Sequence, residues 1–303
     1  MNSTNPVIFD RALLVRRRDR RAATATAHDF LLHRTADDLA DRLSLVRRSF
    51  PVAVCVGAFH GVVSRRLRQL ATLGLVIDME ASPRLAALCD GPVVVADEEA
   101  LPFRPESLDL VVSGLALQHA NDVPGALAQI RRALKPDGLL LASVLGGATL
   151  HELRQAFVAA ESETAGGASP RVAPFADVRD FGGLLQRAGF ALPVADADIV
   201  EAAYPDALAL MRDLAGMGMA NALVERRRAF LRRDTLFRAA EIYAERFARP
   251  DGRIIATFEI ITLTGWVPHP SQQQPLRPGS AKSRLAEALG VPERPAGSHA
   301  GEE

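Results

Sequence analysis

The chain predicts a doubly wound α/β fold of seven strands, the last of them antiparallel, with a helical insertion after the fifth strand. Three observations carry this reading. Short β-branched apolar runs alternate with stretches of helical spacing about five times between Val52 and Val144. The first run ends in a glycine-bearing turn, Gly57-Ala58-Phe59-His60-Gly61, that opens directly into a helix-spaced segment. A long β-branched run, Ile254 to Trp266, then follows a largely helical stretch. Repeated strand-helix-strand crossovers call for a parallel sheet covered on both faces.

Asp29 to Arg48, with Phe30, Leu31, Leu39, Leu43 and Val46 apolar, reads as one or two helices covering a sheet edge or a ligand entrance. Val52 to Val56 is the first strand, bounded by Pro51 and Gly57, and Val62 to Leu73 the first crossover helix. Gly74 to Met79 is a second strand, Pro83 to Leu88 a helix, Pro92 to Ala96 a third strand, Leu108 to Ser113 a fourth, and Val123 to Leu134 a helix. Lys135-Pro136-Asp137-Gly138 reads as a helix stop, because Pro136 cannot continue the helix and Gly138 relieves the backbone. Leu139 to Val144 is the fifth strand.

After Gly146-Gly147 the period changes. Leu150 to Ser162 and Val178 to Ala188 are helical around a Gly/Pro-rich loop at Ala165 to Pro174. Phe190 to Val200 is a sixth strand, and Ala207 to Met219, Leu223 to Arg232 and Leu236 to Phe247 are helical. Ile254 to Trp266 is then the last strand, antiparallel beside the sixth. The expected organisation is an N-terminal arm and helical cap (1–50), a ligand-binding core (51–145), a helical insertion with completion of the sheet (146–268), and a tail (269–303) rich in Pro, Ser, Gln and charge that predicts disorder.

Composition narrows the function. The 303 residues are 48% hydrophobic and 24% charged, an ordinary globular balance. Lys+Arg and Asp+Glu both number 36, so no overall field argues for nucleic acid or an anionic membrane. No apolar run approaches the roughly 18–20 residues of a membrane span. Cys55 and Cys89 lack metal-ligand spacing, which points to a reduced, cytoplasmic compartment. Arg16, Arg17, Arg18, Arg20 and Arg21 form a basic cluster that reads as a targeting segment interrupted by Asp10 and Asp19, or as a solvated or partner-docking arm. Arg226, Arg227, Arg228, Arg232 and Arg233 read as a solvated helix face or a dock for an acidic protein.

Strand C-termini of a doubly wound sheet converge on one crevice. Asp78, Asp97 and Asp109 are read as lying on that side. Asp78 is placed to accept ribose hydroxyls, Asp97 to accept an adenine amino group, and Met79 to pack on the adenosine. The bland alternative for each acid is a helix N-cap or a loop residue. His119, just after the fourth strand, is a base, a substrate contact or a capping histidine, and His60 a ligand contact or a loop residue. Met211, Met217 and Met219 read as core or lid packing. No catalytic residue is identified, and the seven histidines show no pattern for iron or any other metal.

The set Val-Gly-Ala-Phe-His-Gly, Ile-Asp-Met-Glu, Ala-Asp-Glu-Glu-Ala-Leu-Pro-Phe, Leu-Asp-Leu-Val-Val-Ser and Leu-Lys-Pro-Asp-Gly resembles the class I S-adenosylmethionine-dependent methyltransferases. That resemblance implies a Rossmann-like sheet and an S-adenosylmethionine site bordered by Gly57, Gly61, Asp78, Met79, Asp97, Glu98 and His119. Motifs outside that core resemble the methyltransferase-like assembly factors of respiratory complex I. They include Ile8-Phe9-Asp10-Arg11, His119 with Asn121-Asp122, Tyr204-Pro205, Gly216-Met217-Gly218 and Arg233-Asp234-Thr235. This second resemblance implies a protein partner, a peripheral-arm subunit of complex I, and arginine hydroxylation by the mitochondrial members. Two positions depart from the first pattern: Cys55 stands where an acid is usual and Phe59 where a glycine is usual. Three functions stay open: a protein-modifying enzyme, a malonyl-carrier-protein or small-molecule O-methyltransferase, and an assembly chaperone with a degenerate cofactor site.

Overall fold

A computed structural model describes residues 7–273, together with Glu287 and Gly290. From residue 274 the predicted disordered tail otherwise lies outside the described residues. Met1–Pro268 clusters as one unit, and everything below concerns it.

Seven strands form one sheet in the order β3-β2-β1-β4-β5-β7-β6. They are β1 (Phe50–Val56), β2 (Leu73–Glu80), β3 (Val93–Val95), β4 (Leu108–Gly114), β5 (Leu134–Leu145), β6 (Ala191–Tyr204) and β7 (Ile254–Trp266). The first five pair in parallel, whereas β7 runs antiparallel to both β5 and β6, between which it lies. The order reverses at β1, whose neighbours are β2 and β4, so the crevice of such a sheet opens between the ends of β1 and β4.

The helices are α1 (Arg11–Arg21), α2 (Phe30–Ser44), α3 (Val62–Leu67), α4 (Pro83–Ala86), α5 (Val123–Ala133), α6 (His151–Ala165), α7 (Val178–Arg187), α8 (Ala207–Gly216) and α9 (Arg233–Phe247). Leu39 and Leu43 of α2 and Val63 and Leu67 of α3 bury against Val112 and Leu141 on one face of the sheet. Leu127 and Ile130 of α5 and Phe181 and Leu185 of α7 pack against Val111 and Leu140 on the other. A third cluster joins Phe157 of α6, Leu210 of α8 and Tyr243 of α9 to Ala256 and Phe258 of β7. Each fully buried side chain of this size contributes about 1.5–3 kcal/mol.

Several elements depart from expectation. The basic stretch expected to be an arm is helix α1, started by Asp10, whose carboxylate accepts the Leu13 amide. Helix α3 stops at Leu67, where the Arg68 amide bonds back to Ser64. Helix α5 ends at Ala133, and Lys135-Pro136-Asp137-Gly138 already belongs to β5. The left-handed backbone there falls on Asp137, at φ 62°, rather than on Gly138. Gly138 is needed for space instead, since a Cβ on it would stand 2.8 Å from the Lys135 carbonyl oxygen. Leu223 to Arg232 forms no helix: Leu223 bridges antiparallel to Phe9, and Arg226 reaches the Leu223 carbonyl and Asp10. The tertiary pairing with Phe9 takes the backbone groups that a helical ladder would use.

Candidate functional site

The glycine turn after β1 is held by its neighbours. Gly57 and Ala58 donate their amides to the Met79 carbonyl at 2.8 and 3.0 Å. Gly57 adopts φ 68°, and a Cβ there would lie 2.0 Å from Cβ of Ala116. Glycine is therefore required by both backbone sign and close packing. Gly61, at φ 82°, starts α3. Between them Phe59 also adopts a positive φ, 51°, which a non-glycine residue adopts at a cost. Its amide donates to Glu80 at 2.8 Å.

Three carboxylates gather beside this turn. Glu80, the last residue of β2, is fully buried and accepts the amides of Phe59 and Ser82. Burial pushes its carboxyl up from 4.5 to about 7. Asp97 and Glu98 follow β3, the first part-exposed and the second 1% exposed. Two guanidiniums from α1 meet them. Arg11 pairs with Asp97 at 2.6 Å and makes a tight contact to Glu98. Arg18, 3% exposed, lies 3.8 Å from Glu80 and 3.6 Å from Glu98, with its guanidinium 4.5 Å from the centroid of the Phe59 ring.

A roof holds α1 in this place. The Ile8 and Phe9 amides donate to the Asn121 side chain at 2.8 and 2.7 Å, and the Asp10 amide to the Ala222 carbonyl at 2.8 Å. Arg17 donates to the Asn221 carbonyl, and Arg226 pairs with Asp10 at 3.3 Å. His28 contacts Asp213 through Nδ1 at 2.5 Å, and Asp213 also accepts the Tyr204 hydroxyl at 2.7 Å. A Cβ on Gly216 would fall 2.2 Å from the His28 ring and one on Gly218 3.1 Å from Cγ of Arg18. Gly216-Met217-Gly218 is thus the groove into which the N-terminal segment fits.

Known proteins share this plan. A methyltransferase domain model matches residues 40–142. The chain is 40% identical over 286 residues to the zebrafish protein named "Arginine-hydroxylase NDUFAF5, mitochondrial", covering 92% of this chain and 89% of that one. It is 36% identical over 266 residues to the malonyl-[acyl-carrier protein] O-methyltransferase of Laribacter hongkongensis, covering 82% and 87%. A Haemonchus contortus phosphoethanolamine N-methyltransferase, solved with phosphomonomethylethanolamine and S-adenosylhomocysteine, superposes with a TM-score of 0.52 at 14% identity, over 82% of this chain and 58% of that one. The chain belongs to the class I S-adenosylmethionine-dependent methyltransferases, close to NDUFAF5.

Within that family's plan, the expected residues separate into two groups. Gly57, Asp97 and Glu98 converge on the crevice, and His119 lies behind it, its carbonyl accepting from Arg11 at 3.2 Å. Asp78 does not join them: it is fully buried and bound to Arg68 at 2.6 Å. Met79 is core, with no exposed surface. Asp109 opens β4 and therefore sits at the opposite end of a parallel strand, where it accepts the Val52 amide and Lys135. His60 is buried against Asp29 at 3.0 Å. His119 is buried against Phe9, ring centroids 5.5 Å apart, and its Nδ1 has no partner. Burial first, then Arg18 and Arg11, lower its pKa from 6.5 to about 3, so it stays neutral. Met211, Met217 and Met219 pack on the third core cluster and line cavities.

Sequence reasoning missed Glu80, Arg11 and Arg18. Glu80 stands two residues after Asp78 on the same strand, and Arg18 stands four after buried Leu14 on a helix that Asp10 caps. Both spacings were legible as one-face patterns.

The chemistry of the acids suits an adenosine: Glu80 stands at the end of β2 and Asp97 beyond β3. The space does not. Cavities beside Arg18 and Phe59 measure about 30 and 20 Å³, against the roughly 300–1,000 Å³ of small-molecule sites. A larger cavity of about 210 Å³ lies on the far side of His119, lined by Phe9, Phe157, Met211, Arg171 and Asn221 among others, with no carboxylate in its wall. Among the described residues, no group of three or more His, Cys, Asp or Glu is arranged to hold a metal ion, and no helix is long and apolar enough to cross a membrane.

Proposed function

We propose that this chain acts on a protein during assembly of a respiratory complex I, modifying an arginine of a peripheral-arm subunit or chaperoning that subunit. One observation carries the reading. Similarity to the zebrafish arginine hydroxylase extends over 92% of the chain and so runs through α6 to α9, the roof, whereas the methyltransferase domain match ends at residue 142 and the malonyl-[acyl-carrier protein] O-methyltransferase match covers less of the chain, 82%, at lower identity. A roof of this size, built on four helices and the strap from Met219 to Arg232, suits a protein segment more than a small metabolite. In this reading Gly57, Gly61, Asp97, Glu98 and His119 border the S-adenosylmethionine site, and Glu80 takes the ribose role assigned from sequence to Asp78. The setting is a reduced cytoplasm.

Deletion of the gene, followed by mass spectrometry of complex I subunits and native electrophoresis of the complex, tests this. Loss of an arginine modification together with stalled assembly is the expected result. Stalled assembly with every arginine unchanged selects the chaperone form. Normal complex I sinks the proposal.

A second reading, carboxyl O-methylation, is favoured by the cavity beyond His119. Its wall is largely apolar and has no acid, a lining that suits an acyl group better than a guanidinium, although Arg171 in that wall is already paired with Glu161. A growth requirement for biotin in the deletion strain, with complex I intact, would select it.

A further inference from the structure

The crevice that the fold offers to an adenosyl ligand is filled by the chain itself. We propose that α1 is a built-in plug: Arg11 and Arg18 occupy the acidic crevice, and an adenosyl ligand enters only when α1 withdraws.

Glu98 marks the place. A Cβ on Gly57 would lie 3.4 Å from the Glu98 carboxylate, so this buried acid is pressed against the turn where a doubly wound fold brings ligand to backbone. Arg18 then closes the space between Glu98, Glu80 and the Phe59 ring.

The fit of Arg18 is incomplete. Its nearest carboxylate oxygens stand at 3.6 and 3.8 Å, beyond hydrogen-bond range, and both Arg18 Nε and Glu98 Oε1 are buried without a hydrogen bond. Buried polar atoms are almost always satisfied. Two unsatisfied atoms on one ion pair mark a contact that a better-matched cation can replace.

The anchoring of α1 allows withdrawal. Only Leu14 and Arg18 of its eleven residues are buried. The remaining ties are polar: Asn121, Ala222 and Arg226 hold the segment before and at its start, Asn221 takes Arg17, Asp19 accepts from the Ser82 hydroxyl and the Arg84 amide near its end, and Asp213 takes His28 after it. An element with so little apolar burial belongs to the low-stability end of a fold.

Charge selects the ligand. Removing Arg18 would leave Glu80 and Glu98 buried with only Arg11 to offset them. The sulfonium of S-adenosylmethionine supplies a positive charge that S-adenosylhomocysteine, whose sulfur is a neutral thioether, lacks.

The proposal rests on the cofactor reading of the crevice, and the experiment keeps the two apart. Full-length protein, Arg18→Ala and Arg17→Ala are titrated calorimetrically with S-adenosylmethionine and S-adenosylhomocysteine, and amide exchange across Arg11–Arg21 is followed with and without ligand. Arg17→Ala cuts the tie to Asn221 and leaves the acids untouched, so the test survives if Arg18→Ala folds poorly. Expected are at least ten-fold tighter binding of S-adenosylmethionine by both variants, a larger gain for it than for S-adenosylhomocysteine in Arg18→Ala, and faster exchange across α1 in the liganded wild type. Wild-type binding with α1 protection unchanged, or weaker binding by Arg18→Ala, overturns the plug and leaves the cofactor reading standing. Absence of binding to all three proteins overturns both.

Discussion

The Arg18 guanidinium sits 4.5 Å from the centroid of the Phe59 ring, and Phe59 holds that ring in place from a backbone at φ 51°. A residue that departs from the family's glycine thus forms the floor on which the plug rests. Phe59→Gly relieves the positive φ, worth about 1 kcal/mol, but removes a ring that is 8% exposed, a loss of about 3–5 kcal/mol for a Phe truncated in a core. Packing outweighs strain. Urea denaturation should show a net loss of about 2–4 kcal/mol, with faster amide exchange across α1. A gain in stability would mean that backbone strain is the larger quantity.

Asp78 and Glu80 invite opposite outcomes. Asp78 is buried on Arg68 and away from the crevice, so Asp78→Ala should cost about 3–5 kcal/mol by stranding its partner while leaving adenosyl-ligand affinity within two-fold. Glu80→Gln keeps the shape but leaves an acceptor for only one of the Phe59 and Ser82 amides, which Glu80 takes on separate oxygens, and should change affinity for S-adenosylmethionine at least ten-fold. Calorimetry on both variants checks this, and an affinity loss confined to Asp78→Ala would return the ribose role to Asp78.

The pH dependence of stability has two opposing parts. Glu80 titrates near 7 when folded against an ordinary 4.5, so the folded state holds a proton the unfolded state has released. Its contribution is full below pH 4.5 and lost as pH rises to about 7. His119 titrates near 3 against an ordinary 6.5; its contribution is full above pH 6.5 and lost as pH falls toward 3. Between about pH 4.5 and 6.5 the two slopes offset each other. Glu80→Gln should therefore gain on the wild type between pH 5 and pH 8 by about 1–3 kcal/mol, read from urea midpoints at the two pH values. A constant difference would mean that Glu80 titrates normally.

Gly216 tests the roof. Gly216→Ala drives a methyl to 2.2 Å from the His28 ring, breaking the His28–Asp213 contact, and an overpacked site of this kind typically loses about 1–3 kcal/mol. His28→Ala in the same chain should recover part of the loss, because the clash disappears with the ring. Thermal denaturation of the two single variants and the double variant gives the coupling; strict additivity would show that the ring and the glycine do not meet.

Much of the fold was legible in the residues. Val52 to Val56, Ile254 to Trp266 and the alternation between them identify the sheet because β-branched runs bounded by turn residues have few other uses. Elements at the margins were less so. Leu223 to Arg232 carries helical spacing but spends its first residues pairing with Phe9, and Lys135 to Gly138 carries turn chemistry but lies in a strand. In both, partners distant in sequence outbid local preference.

The site divides in the same way. Gly57, Asp97 and Glu98 could be placed from motif order, since each follows a strand whose direction the crossovers dictate. Asp78 turns to Arg68 through a contact of only 10 positions, which motif order does not reveal; that the basic run of α1 reaches back to Glu80 and Glu98 depended on contacts spanning 62 to 87 positions, as between Arg18 and Glu80 and between Arg11 and Glu98. A sequence records that Arg18 and Glu98 are charged and strand-end or helix-borne. Only the packed fold decides that the two share one buried space, because burial and pairing are properties of what surrounds a side chain and not of the side chain alone.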